Sequence, residues 1–423
     1  MVDLAIRNGS VVTVDGVVHA DVAIEEGRVV AIGSSVPDAR VTIDAAGAWV
    51  GPAFVDLHTH LREPGQEWKE DIESGSHAAA AGGYGAIVAM PNTDPAIDTG
   101  ALAHFVADRG RRIGLVDVVP AGAITMGRQG ATMAHIDDLW AAGVRMFTDD
   151  GDMVANAAVL RTAMEYIAAL GGVVAQHAVD PSLSAAGFMH EGAVSSRLGM
   201  YGIPREADDI AIARDLALVA LTGVRYHVQH VSTAGGVDLI RSARGLGLPV
   251  TAEVTPHHLA FTHDHVATTD PDYKMMPPLR DPSDRDALTA GLSDGTIDAV
   301  ATDHAPHAAL EKEVPFEDAP NGVIGLEWAA SIVNEHLALD VTCFFDRMST
   351  RPAQIAGIPD HGELLHDGSV ANIVVFDPAR TWTPSTSASR SRNAPYLGME
   401  LTGVVDATVL RGVVTHRRRT RDS

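Results

Sequence analysis

Cysteine and lysine are scarce in this 423-residue chain: there is one cysteine, Cys343, and there are three lysines, Lys69, Lys274 and Lys312. A lone thiol excludes an intramolecular disulfide framework and any cysteine-based metal cluster, so Cys343 is expected as a small buried apolar residue. Any metal must then be held by histidines and carboxylates. Positive charge is also short: 31 Lys+Arg against 55 Asp+Glu give a formal net charge of −24. That balance argues against nucleic acid or an anionic membrane as partner, because a surface for either must be basic. The basic tail HRRRTRDS reads as a solvated, frayed end. No uninterrupted apolar stretch reaches membrane length, and the opening MVDLAIRNGSVVTVDG alternates like strands instead of placing a basic segment before an apolar core. A soluble, cytoplasmic protein is expected.

Hydrophobic residues make up 46% of the chain, enough for one large domain of about 250 residues with something smaller beside it. A repeated unit runs through the middle: a short run rich in Val, Ile and Ala, then polar residues, then a helix-like stretch. Eight such runs occur, namely WVGPAFVDLH, GAIVAMPN, GLVDVVPAG, GVRMFTDD, GGVVAQHA, VRYHVQHVS, LPVTAEVTPH and DAVATDHAP. Ala-rich or amphipathic segments between them, such as DIESGSHAAAAGG, ANAAVLRTAMEYIAAL and DDIAIARDLALVALTG, suit crossover helices. Together these predict an α/β fold, a (β/α)₈ TIM barrel, over residues 51–361. Residues 1–50 and 362–423 alternate with glycine punctuation, as β-hairpins do, and predict a small β-sandwich built from both chain ends.

The segment VDLHTHLREPG sets His58, His60 and Arg62 at every second position, where strand geometry would place all three on one face. Barrel enzymes carry their chemistry at the carboxyl ends of the strands, and in this register those ends bear His58, His60, Asn92, Asp150, His177, His230 and Asp303. Four imidazoles and two carboxylates suit Zn²⁺ or a similar divalent ion, and are enough for two ions about 3.5 to 4 Å apart bridging one hydroxide. Two such ions need an anion between them. No lysine that could carry an added carboxyl group lies near the fourth run, where GVRMFTDDGD offers Asp149, Asp150 and Asp152. Asp150 follows the apolar run most directly, with Asp149 one residue away as the alternative.

The stretches HTHLREPGQEWKEDIESG, AAAAGGY, MPNTDP, FTDDG, QHAVD, EVTPHHL, PPLR and ATDHAPH resemble the dihydroorotases of the cyclic amidohydrolase superfamily, in the class whose bridging ligand is Asp, and the likeness runs from about residue 3 to residue 415. The resemblance implies reversible, zinc-dependent hydrolysis of L-dihydroorotate to N-carbamoyl-L-aspartate in pyrimidine biosynthesis. It implies two zinc ions per chain, with His58, His60 and Asp303 at one, His177 and His230 at the other, and Asp150 bridging. Asp303 would pass the proton from the attacking hydroxide to the departing ring nitrogen. Arg62 and Asn92 would grip the substrate carboxylate, His307 would contact the pyrimidine ring, and the backbone around Asn321 and Gly322 would assist. The family further implies a homodimer or larger assembly, or a complex with aspartate carbamoyltransferase.

Two positions depart from the family pattern: Asn321 stands where an aromatic residue is expected, and Met276 is the other. Where dihydroorotases read V-N-P-P-L-R this chain reads M-M-P-P-L-R, so Met276 stands in place of an asparagine that contacts the ring. Methionine supplies neither the donors nor a comparable acceptor. Loss of one polar contact costs about 1 to 3 kcal/mol, which leaves a hydantoinase, dihydropyrimidinase or allantoinase type of substrate as the alternative. A noncatalytic partner of aspartate carbamoyltransferase is the other alternative, but such a protein would be marked by lost ligands, and none is lost. His257 and His258 are expected to support the ligands from behind, and the charged, proline-containing residues 308–321 are expected to form a lid.

Overall fold

The structure is a computed structural model that describes residues 1–337 and 339–418, so the end of the basic tail lies outside the described residues. Eight parallel strands form the barrel: Phe54–Thr59, Tyr84–Ala89, Asp117–Pro120, Met146–Phe147, Val173–Gln176, Arg225–Val228, Val250–Val254 and Ala299–Val300. Regular pairing groups them as three strands and five. Parallel bridges close the ring, Gly122 to Phe147 between third and fourth strands and Thr59 to His304 between eighth and first. Phe54–Thr59, Tyr84–Ala89 and Val173–Gln176 are buried on both faces, which is why they read as continuous apolar runs.

Local chemistry sets the crossover helices. Ile72–Ala81 starts where the Asp71 carboxylate accepts from the Ser74 amide, and Ala157–Leu170 starts at Asn156 and stops at Gly171, whose φ of +80° few other residues tolerate. Pro282–Asp294 has Asp281 as its cap and a proline in its first turn. Between the fifth and sixth strands the chain makes a longer excursion, with a small parallel pair Met189–His190 and Gly202–Ile203, before the helix Glu206–Thr222.

Both chain ends build one eight-stranded sheet over its own core of Leu4, Ile6, Val22, Ile24, Ile373 and Val409 among others. Trp49–Pro52 belongs to this sheet, pairing with Ser10–Val11 and antiparallel to Ile373–Phe376. The run WVGPAFVDLH is therefore split: its first half completes the terminal sheet, and the barrel begins at Phe54. Where the two parts meet, Trp49, Phe54, Phe344, Phe345 and Phe376 pack ring against ring, with Phe344 stacked on Phe376 at 5.2 Å. Cys343 lies half-buried on the helix Val341–Phe345, beside this cluster and not inside it. Its neighbours Phe344 and Phe345 take the inward positions instead. Among the described residues no helix is long and apolar enough to cross a membrane.

Candidate metal centre and substrate pocket

The imidazoles and carboxylates at the strand ends meet around one carboxylate. Asp150 Oδ2 lies 3.1 Å from His58 Nε2 and 3.4 Å from His60 Nε2. Its other oxygen lies 3.4 Å from His177 Nδ1 and 3.5 Å from His230 Nε2. Asp303 Oδ1 completes the first pair, 3.0 Å from His60 Nε2 and 3.5 Å from His58 Nε2. Asp149 is turned away: its carboxylate accepts from the Ile124 and Thr125 amides and the Thr125 hydroxyl, fastening the third strand's loop. Of the neighbouring acids, the geometry selects Asp150 for the centre.

A cation fits this donor set. His58 Nε2 and Asp150 Oδ1 are buried yet lack an aligned hydrogen-bond partner among the described residues, and His230 Nε2 and His177 Nδ1, 2.8 Å apart, both lie within 3.5 Å of Asp150 Oδ1. Burial opposes charge on Asp150 and Asp303, but the surrounding imidazoles, His58 foremost, hold both carboxyls below the usual range and keep them anionic. Three non-glycine residues of the site, Arg62, His230 and Asp303, have positive φ of 63°, 33° and 46°, a concentration of strained backbone where side chains must be aimed.

A second layer orients the first. His58 donates through Nδ1 to Glu253 Oε1 at 2.7 Å, and the other Glu253 oxygen lies 3.0 Å from His227 Nε2. His60 donates through Nδ1 to Asn92 Oδ1 at 2.7 Å, which leaves the Asn92 amide NH₂ for other partners. Both bonds leave the Nε2 atoms facing the carboxylates. Sequence motifs alone assign Glu253 no role. Its signal is a lone carboxylate inside the apolar run LPVTAEVTPH, where a buried charge requires partners. His258 bonds to Thr255 and to the Pro277 carbonyl, bracing the loop that carries Met276, whereas both His257 nitrogens are buried without a partner among the described residues.

Above the centre opens a cavity of about 400 Å³, whose walls include His60, Arg62, Asn92, Asp150, His177, Met276, Asp303, His307, Asn321 and Gly322. His58 and His230 sit beneath it, fully enclosed. Strand alternation does not place Arg62, because the strand ends at Thr59 and the chain then turns with Arg62 at positive φ. The Arg62 Nε–H donates to the Pro306 carbonyl at 3.2 Å, and the guanidinium forms no ion pair among the described residues. Glu63 instead faces Arg109, and Glu67 accepts from the Gly65 amide. Burial lowers the Arg62 pKa to about 10, still charged at neutral pH. His307 bonds through Nε2 to the Asn321 carbonyl at 2.8 Å, and its backbone amide donates to Asn393 Oδ1, so a residue near the far end of the chain braces this wall. On the other side Met276 packs with Val179, Ile203 and Ala207, making that wall apolar.

Residues 47–235 match a family model described as dihydro-orotase-like. A dihydroorotase of Anaeromyxobacter dehalogenans is 46% identical over 420 residues, covering 97% of this chain and 96% of that protein. One of Mycobacterium tuberculosis is 46% identical over 409 residues, covering 94% and 95%. Among solved structures, an L-hydantoinase (dihydropyrimidinase) of Arthrobacter aurescens superposes with a TM-score of 0.87 at 27% identity, covering 98% of this chain and 96% of that one. A dihydropyrimidinase of Brevibacillus agri gives 0.84 at 27% identity, covering 98% and 95%. The barrel, the sheet of both termini and the imidazole–carboxylate cluster define an amidohydrolase of the kind that opens cyclic amides. Within that class the chain belongs to the dihydroorotase family.

Proposed function

We propose that the chain hydrolyses the ring amide of L-dihydroorotate to N-carbamoyl-L-aspartate, reversibly, as a step of pyrimidine biosynthesis in the cytoplasm. The observation that carries this reading is Arg62: a buried guanidinium without a carboxylate partner among the described residues, opening on the same cavity as Asp150 and Asp303. A desolvated cation is costly unless an anion meets it, and a planar fork matches a carboxylate. The substrate's carboxylate fills that role, with the free amide NH₂ of Asn92 beside it.

His58, His60 and Asp303 on one side of Asp150, with His177 and His230 on the other, would hold two zinc ions. When bound, such ions make water nucleophilic at neutral pH and polarise the carbonyl under attack. Asp303 accepts the proton as the water oxygen bonds to the ring carbonyl carbon. It returns that proton to the ring nitrogen as the carbon–nitrogen bond breaks. Arg62 and Asn92 fix the ring's orientation, and His307 with the backbone at Asn321 and Gly322 closes its far side.

The complete donor set opposes a purely noncatalytic role beside aspartate carbamoyltransferase. A second reading has one specific observation in its favour: Met276 makes one pocket wall apolar, which suits a neutral ring such as a hydantoin or dihydrouracil. The test is hydrolysis by zinc-loaded protein of L-dihydroorotate beside hydantoin, dihydrouracil and allantoin, with Asp303→Ala as the blank. Faster turnover of a neutral ring than of dihydroorotate would overturn the proposed substrate and leave the cyclic-amide chemistry standing.

A further inference from the structure

All three lysines of the chain bond to loops that supply residues of the pocket wall. The Lys312 ammonium donates to the Pro271 carbonyl at 2.8 Å and to the Lys274 carbonyl at 3.3 Å. Lys274 reaches back the other way, donating to the Phe316 and Glu317 carbonyls at 2.7 and 2.8 Å. The Gly322 amide adds a bond to the Lys274 carbonyl at 2.9 Å, and Lys69 pairs with Glu311 at 3.2 Å. The crossed bonds join two loops that are far apart in sequence. One carries Met276; the other begins at His307 and ends at Asn321 and Gly322, so each supplies walls of the cavity.

The joint is buried. Lys274 is 5% and Lys312 7% exposed, and neither ammonium forms an ion pair among the described residues. The Lys274 ammonium also lies 5.2 and 5.4 Å from the ring centres of Phe188 and Phe316. Burying two ammonium groups is costly unless each is hydrogen-bonded, and the carbonyls of the two loops supply those bonds here. Arginine supplies the remaining 28 of the 31 basic residues (31 less three lysines), and its planar fork suits carboxylates. A compact ammonium with three rotatable donors suits the carbonyls found here.

We propose that Lys274 and Lys312 are positioning residues, a reciprocal clasp that makes residues 270–277 and 307–322 a single wall already formed before substrate arrives. Without the clasp the wall must be ordered at binding, so apparent affinity falls by the fraction of molecules in which it is formed. The kinetic consequence rests on the proposed hydrolysis of dihydroorotate; the structural consequence does not.

The test uses the full metal-loaded chain and the variants Lys312→Met, Lys274→Met and Lys312→Arg, with Leu310→Ser, at a residue 82% exposed in the same segment, as control. Amide hydrogen exchange is followed by mass spectrometry, and KM and kcat are measured on L-dihydroorotate. Lys312→Met is expected to speed exchange together in 270–276 and 308–322, leaving the strand Val250–Val254 protected. KM should rise by roughly tenfold to a hundredfold with a smaller change in kcat, and Lys312→Arg, which keeps donors in reach of the carbonyls, should restore part of both effects. Faster exchange confined to residues around 312, with 270–276 as slow as in the parent, overturns the clasp, as does a fall in kcat at unchanged KM. If Lys312→Met fails to fold, Lys312→Arg and Lys274→Met decide by the same readouts. A parent protein inactive on dihydroorotate sinks the proposed substrate, while the exchange data still decide the clasp.

Discussion

Glu253 Oε1 stands 2.7 Å from His58 Nδ1, and both side chains are wholly enclosed. This bond fixes which imidazole nitrogen faces Asp150, so Glu253 governs the donor set without belonging to it. Glu253→Gln is expected to weaken divalent metal binding by about tenfold to a hundredfold, measured by competition with a chromogenic chelator. Unchanged metal affinity would show that the barrel alone orients His58.

Arg62→Met removes the one cation that the proposed function assigns to the substrate carboxylate. For L-dihydroorotate, KM should rise by roughly tenfold to a hundredfold, as expected for loss of a charge-assisted bond worth about 1.5 to 3 kcal/mol. Dihydrouracil, which lacks that carboxylate, should be hydrolysed no worse than by the parent. Equal losses on both rings would mean that Arg62 serves the fold through its bond to Pro306 and not the substrate.

Met276→Asn returns an amide to a wall that Val179, Ile203 and Ala207 make apolar. The change should lower KM for dihydroorotate by up to about tenfold and lessen any activity on a neutral hydantoin. A loss on dihydroorotate would indicate that packing of the methionine sets the width of the pocket.

Asp117, at the start of the third barrel strand, bonds to His361 at 2.8 Å and reaches the terminal sheet through Arg411. Burial raises its pKa, but the bonds from His361 and Arg411 outweigh that and hold the carboxyl below its usual range. A carboxyl depressed on folding stabilises the protein above its unfolded pKa, about 3.9, and that contribution is lost as pH falls through the lower folded value. Urea midpoints of Asp117→Asn and the parent should therefore differ most at pH 5 and above and converge as pH falls below about 4. A constant difference across that range would assign the effect to packing.

Gly65 has φ of +95°, and a Cβ there would strike the Asp94 carbonyl oxygen. Gly65→Ala should destabilise the protein by more than about 1 kcal/mol in thermal unfolding. The loop also carries Arg62, so KM for dihydroorotate should rise together with the loss in melting temperature.

The barrel is legible in the letters, because strands buried in a barrel wall read as apolar runs and crossover helices must carry an apolar stripe; Ala157–Leu170 and Glu206–Thr222 lie within two residues of the segments expected from pattern. The sequence also placed His58, His60, Asp150, His177, His230 and Asp303 at the ends of their strands, since strand ends follow from where each apolar run stops. Tertiary structure decided what local period cannot reach. Only the fold turns Asp149 into a structural acceptor and leaves Asp150 between the histidines. Only a chain reversal beyond Thr59 aims Arg62, and only contacts across the molecule bring Glu253 to His58 and Asn393 to His307. The same holds for Trp49–Pro52, apolar like the strand after it, yet assigned to the terminal sheet by partners at Ser10–Val11 and Ile373–Phe376. Apolar patterning records that a segment is buried; which neighbours bury it is fixed by pairing between residues distant in sequence, which periodicity does not encode.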